Sequence, residues 1–112
     1  MPTNEERRRR RAVQRQENRA AQMIGGAVTP ASGALWGSKG DAVSDLEMVE
    51  CKRTDKKQIT LKKEWLDKLF AEAIARGKVP YLHIEISGHS YWLLSEPDGE
   101  ELIERARHGP DG

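Results

Sequence analysis

The sequence predicts an α/β domain in which helices flank a mixed β-sheet. Three observations predict it. Two long segments, 5–24 and 60–76, space their apolar residues as helices do. Two shorter segments, "VPYLHIEI" and "SYWLLS", are rich in β-branched and aromatic residues and meet at Ser87-Gly88-His89, a tight-turn sequence. An apolar run over 46–53 lies between the two helical segments and reads as a further strand.

In chain order, the first helix has a charged start and a Gly25-Gly26 stop. Val13, Glu17, Ala20 and Ile24 share one face of it, which sets Glu17 among the inward positions, either for a functional role or, with a slight rotation of the helix, to snorkel or pair with a neighbouring arginine. Residues 25–40, "GGAVTPASGALWGSKG", favour loop and turn because Gly, Ser and Pro interrupt every apolar piece. Ala42-Val43, a turn at Ser44-Asp45 and the strand over 46–53 make a candidate hairpin. The second helix carries Leu61, Trp65, Leu66, Leu69, Phe70, Ala73 and Ile74 on one stripe, with Thr60 as N-cap and Gly77 as stop. Two strands follow, then a short helix over 97–107 that is acidic first and basic last, as a helix dipole favours.

At 112 residues, with 37% hydrophobic and 33% charged, the chain suits one compact domain with a charged surface. The boundaries expected are a basic arm over 1–11, whose order without a partner the sequence does not set, one domain over 12–108 and a tail over 109–112. No apolar run approaches the roughly 18 residues that span a bilayer, so no membrane association is expected. The N-terminus lacks a secretory hydrophobic segment, and the single Cys51 has no partner for an internal disulfide. A cytoplasmic location is the expectation.

The net charge of +1 conceals an asymmetry. Residues 1–20 hold seven arginines against three glutamates, +4, and the rest holds 12 basic and 15 acidic residues, −3. A basic arm on a mildly acidic body is an electrostatic footprint for nucleic acid, although a solubilising tail or a patch for an acidic protein has the same composition.

Strand alternation puts Met48, Glu50 and Lys52 on one face and Val49, Cys51 and Arg53 on the other. An exposed edge strand with a weak charge pair would explain Glu50 and Lys52 alone. Asp41, however, opens the same hairpin and is expected to approach Glu50 across it. Two convergent carboxylates make a hard oxygen site suited to magnesium or manganese, to which the Cys51 carbonyl adds a third ligand. Lys52 then stands beside the metal, placed to orient a water or offset phosphate charge. Among the other tempting residues, His83 and His89 read as polar surface groups, Trp65 as core, and Trp36 as the tryptophan to test for base stacking.

Asp41 followed by Glu50-Cys51-Lys52 resembles the acid and Glu-X-Lys signature of the restriction-endonuclease-like nucleases, the PD-(D/E)XK superfamily. The wider chain looks most like an archaeal-type Holliday junction resolvase. The pieces that carry this are Glu17 in the first helix, "PASGALWGSKGD", "VECKRTDKK", "LKKEWLDKLFAEAIARGKVPYLHIEI" and "YWLLSEP", which cover most of residues 12–97. The arginine-rich extension and the short Asp-to-Glu hairpin depart from the family's pattern. The resemblance implies a restriction-endonuclease-like mixed sheet flanked by helices and a Mg2+-dependent endonuclease, with Mn2+ able to substitute. It implies that Asp41 and Glu50 bind metal, that Lys52 assists the attacking water, that Glu17 supplies a further carboxylate and that Ser32 lies near the scissile phosphate. It implies a homodimer acting on four-way junction DNA without an organic cofactor, in a prokaryotic cytoplasm or, for a viral protein, that of the host. Arg7, Arg8, Arg9, Arg10, Arg11, Lys39, Lys56 and Lys57 are the expected phosphate contacts. A related nuclease for flaps or duplex, and a DNA-binding protein without catalysis, are the alternatives.

Overall fold

The computed structural model describes residues 1–30 and 40–109. Its elements are α1 (Asn4–Met23), β1 (Ala27–Val28), β2 (Ala42–Val43), β3 (Glu47–Thr54), α2 (Lys63–Ala75), β4 (Val79–Ile86), β5 (His89–Leu93) and α3 (Glu96–His108). The five strands form one mixed sheet in the order β1-β2-β3-β4-β5. Only β3 and β4 run parallel, and α2 makes the crossover between them. The α/β class with a mixed sheet is therefore present. β1 was not expected, because a two-residue strand inside a Gly- and Pro-rich segment shows no periodicity.

α1 starts where Thr3 caps it, its hydroxyl accepting from the Glu6 N–H at 3.1 Å, and Glu5 and Glu6 complement the dipole of the first turn. Its buried side is Gln16, Ala20 and Ala21. The expected stripe is displaced: Val13 is 40% exposed, whereas Gln16, polar and so ignored by a hydrophobic pattern, is 1% exposed. The two alanines allow close packing on Ala42 and Val49, which forms the core between α1 and the sheet. Gly26 is required where the chain leaves α1, since a Cβ there would lie 2.0 Å from the Val43 carbonyl oxygen.

The opposite face of the sheet carries the larger core, Met48, Leu82 and Ile84 packed with Leu69 and Ala73 of α2. α2 begins at Lys63 with no side-chain cap at Lys62, later than the Thr60 cap expected. Leu61 and Ile74, assigned to the buried stripe, are 42% and 72% exposed. Leu61 precedes the helix, and Ile74 lies off the narrow seam along which a 13-residue helix meets a twisted sheet. β4 and β5 join through Ser87-Gly88, both at positive φ as a two-residue hairpin turn demands. No helix among the described residues is long and apolar enough to cross a membrane.

Candidate active site

β3 is the spine of the site. Its alternation sends Met48 into the α2-side core and Val49 into the α1-side core, so Glu50 and Lys52 fall on the α2 side while Cys51 packs beneath α1. The Lys52 ammonium lies 3.8 Å from Glu50 Oε1 and 4.3 Å from the centre of the Trp65 ring. It is thus held between a carboxylate and an indole face, each of which attracts a cation. Trp65 is half-buried over Lys52, not enclosed in the core as expected.

Asp41 is fixed by three hydrogen bonds. Its N–H donates to the Val49 carbonyl at 2.7 Å, its carbonyl accepts from the Thr29 N–H at 2.9 Å, and its Oδ2 accepts from the Cys51 N–H at 2.7 Å. The pairing of Ala42 with Val49 places Asp41 beside Glu50 at the edge of the hairpin. Gly40, at φ 84, makes this turn possible, since a Cβ would meet Met48 Cγ at 2.7 Å. From the other side Glu17 lines the same cleft as Asp41, close enough for the two carboxyls to perturb each other.

Burial first, and then the Asp41 charge and hydrogen bond, push Glu17 above the usual carboxylate range. Burial also raises Asp41, against the downward pull of the Cys51 N–H and Lys52. Glu50 is driven furthest, up to about 7, by burial and the Asp41 charge, with Lys52 and Lys68 opposing and Glu72 adding to the rise. Burial and the surrounding carboxylates push the Cys51 thiol up as well, so it carries no nucleophilic thiolate. What the three carboxyls have in common is burial, which opposes their charge before any neighbour does.

The expected residues are thus brought together for Glu17, Asp41, Glu50 and Lys52, with Asp41 the carboxylate adjoining both glutamates. Among the described residues no group of three or more His, Cys, Asp or Glu side chains forms a ready metal cage. The side chains that do gather, Glu17 and Glu50 on either side of Asp41, offer carboxylate oxygens, the hard donors that magnesium and manganese take. Ser32, Trp36 and Lys39 lie outside the described residues. Arg7 to Arg11 lie on the exposed first turns of α1, and Lys56 and Lys57 on the exposed turn after β3.

Sequence reasoning missed Gln16. Its amide nitrogen donates to the Lys52 carbonyl at 3.0 Å and faces His83 Nδ1 at 3.0 Å and the His83 carbonyl at 3.3 Å. It therefore ties the helix that carries Glu17 to the strand that carries Lys52. His83, read as a surface group, is 3% exposed, its ring edge-on to Trp92. Burial and the nearby Arg19 keep it below the ordinary histidine value. The only signal in the sequence was position: Gln16 falls four before Ala20 on the helix. Thr29 was also missed; its hydroxyl is buried with no hydrogen-bond partner among the described residues, and it lines with Glu17, Gly40 and Asp41 a cleft of about 390 Å3.

No protein-family model matches the chain, and neither a curated protein nor a solved structure does.

Proposed function

We propose that the protein is a metal-dependent, structure-specific DNA endonuclease of restriction-endonuclease-like fold that resolves four-way junctions as a homodimer. The observation that carries the reading is the convergence of Glu17, Asp41, Glu50 and Lys52 from α1, the β2 edge and β3, with Lys52 Nζ 3.8 Å from Glu50. Residues from separate parts of the chain, each perturbed or held in place by the next, are hard to explain as a solvated surface.

Asp41 and Glu50 would hold the magnesium ion, with the Cys51 carbonyl and Glu17 as further oxygen donors. Magnesium supplies Lewis-acid polarisation of a phosphoryl oxygen. Lys52, steered by Trp65, orients the attacking water and offsets phosphate charge. The cleft lined by Glu17, Thr29 and Asp41 gives space for a phosphodiester beside those two carboxyls. Arg7 to Arg11, with Lys56 and Lys57, supply phosphate contacts that position DNA without reading its bases. Two-fold pairing matches the approximate two-fold symmetry of a four-way junction.

The test compares a four-way junction with a matched linear duplex in magnesium, using the wild type and Glu50→Gln. Paired, symmetric junction cuts that the substitution abolishes support the reading. Equal cutting of linear duplex moves the substrate to flap or duplex DNA, and DNA binding without any metal-dependent cut leaves a non-catalytic binder.

A further inference from the structure

The arginines of α1 are not one diffuse arm. Arg8, Arg11, Arg15 and Arg19 follow one another at spacings of three, four and four residues, so they form one stripe along the helix. Arg8, Arg11, Arg15 and, from β3, Arg53 line a groove of about 620 Å3 with Arg9, Glu5 and Asp55. A second groove of about 470 Å3, which shares Arg15, Arg53 and Asp55, continues it past Arg19 to Gly88. Arg53 is held in place by Glu85 at 3.0 Å and Asp55 at 2.8 Å, and Arg19 by Glu85 at 2.6 Å. Arg8, Arg11 and Arg15 form no ion pair among the described residues. The lining of the first groove carries five arginines against two acids, +3.

The groove lies on the wrong side of α1 to serve the carboxylates. Arg15 and Glu17 are two residues apart, at about 100° per residue, and so point to nearly opposite sides of a helix about 10–12 Å across. We infer that this groove holds a second stretch of phosphodiester backbone, separate from the stretch presented to Glu17, Asp41 and Glu50. The separate role rests on the nuclease reading above; the phosphate affinity of the groove does not.

The lining chemistry selects nucleic acid over the other anionic partners. Ala12 is the only apolar residue in the first groove, which leaves no pocket for the aromatic or aliphatic anchor of a protein partner and no apolar face to enter a membrane. Guanidinium groups repeated along a helix need only charge and paired N–H donors to bind phosphate. The backbone comes from one of two sources, the other strand of the cut duplex or a second arm of a branched molecule.

The experiment measures affinity, in EDTA and across a salt series, for a labelled four-way junction and a linear duplex of equal length. The proteins are the wild type, the triple variant Arg8→Gln, Arg11→Gln and Arg15→Gln, and its Lys counterpart at the same positions. Removing one phosphate-binding side chain lowers the salt slope by about 1, so the Gln variant is expected to lose about 3 and the Lys variant to keep most of it. Circular dichroism confirms that α1 is retained in both. A loss confined to the junction assigns the groove to a second arm, and an equal loss on both DNAs assigns it to the other strand; either supports the inference. An unchanged slope on both DNAs in the folded Gln variant overturns it. If polyglutamate, titrated alongside the two DNAs, binds the wild type and loses its binding in the Gln variant while DNA affinity stays intact, the inference is overturned in favour of an acidic protein. A wild type that binds steeply but never cuts in magnesium sinks the nuclease reading alone.

Discussion

A carboxyl that titrates near 7 keeps its proton where an exposed glutamate has lost it, and Glu50 does so because burial and Asp41 both oppose its charge. Between the ordinary value of 4.5 and about 7, the folded protein holds a proton there that the unfolded chain releases. The stability this group contributes is therefore fully present below 4.5 and lost as pH rises through about 7. Glu17 and Asp41 shift in the same direction. In metal-free buffer Glu50→Gln should consequently stabilise the fold at pH 8 by on the order of 1–3 kcal/mol after allowance for solvent screening, and so raise the melting temperature. The gain should vanish at pH 4, and cleavage should be lost at both. Thermal scans at the two pH values check this, and a variant less stable than wild type at pH 8 would refute the assignment of strain to Glu50. Magnesium should raise the wild-type melting temperature at pH 8 and leave that of the variant nearly unmoved. Trp65→Ala removes the surface that steers Lys52, and turnover should fall while magnesium affinity, measured by calorimetry, holds.

At the scale of elements, one buried amide sets the relation of α1 to β3 and β4. Gln16→Leu leaves the Lys52 and His83 carbonyls without this donor in a buried place, at a cost of about 1–3 kcal/mol. Urea unfolding should read that cost, and Glu17, one residue along, should draw away from Asp41, weakening magnesium binding as well. A variant equally destabilised but unaltered in magnesium affinity would show that the amide holds only the fold. Leu69→Ala, in the seam between α2 and the sheet, is expected to cost about 2–4 kcal/mol without moving the carboxylates. Glu85 acts as a second tie: although burial favours its neutral form, hydrogen bonds from Arg53 and Arg19 keep it ionised. Its share of stability is present above the ordinary 4.5 and is lost as pH falls through its lowered value, the reverse of Glu50.

For the whole molecule, α1 is the part that every proposed role shares. One side packs on the sheet through Ala20 and Ala21, one edge delivers Glu17 to the cleft, and the opposite edge carries the arginine stripe. Removing residues 1–11 deletes the first two turns of this helix along with five arginines. DNA affinity should drop and its salt slope flatten, while magnesium binding at the proposed carboxylate site, which the deletion leaves whole, should stay intact. Equal affinity before and after the deletion, at low and high salt, would dismiss the N-terminal arginines as phosphate contacts.

The α/β class, the two long helices, the three longer strands and the proximity of Asp41, Glu50 and Lys52 were legible in the sequence, because strand alternation and a short hairpin act over a few residues. Local pattern could not tell which way α1 faces. That depends on Gln16 meeting Lys52 and His83 from 36 and 67 residues away, and a polar contact at long range leaves no trace in hydrophobic spacing. The same holds for Trp65 over Lys52 and for the burial of His83, both products of how α2 and β4 stack on β3. The sequence by itself determined the elements and the donor types; the tertiary structure decided that Glu17 meets Asp41 on one side of α1 and that the arginines stand on the other, because the rotation of a helix on a sheet is set only by what it packs against.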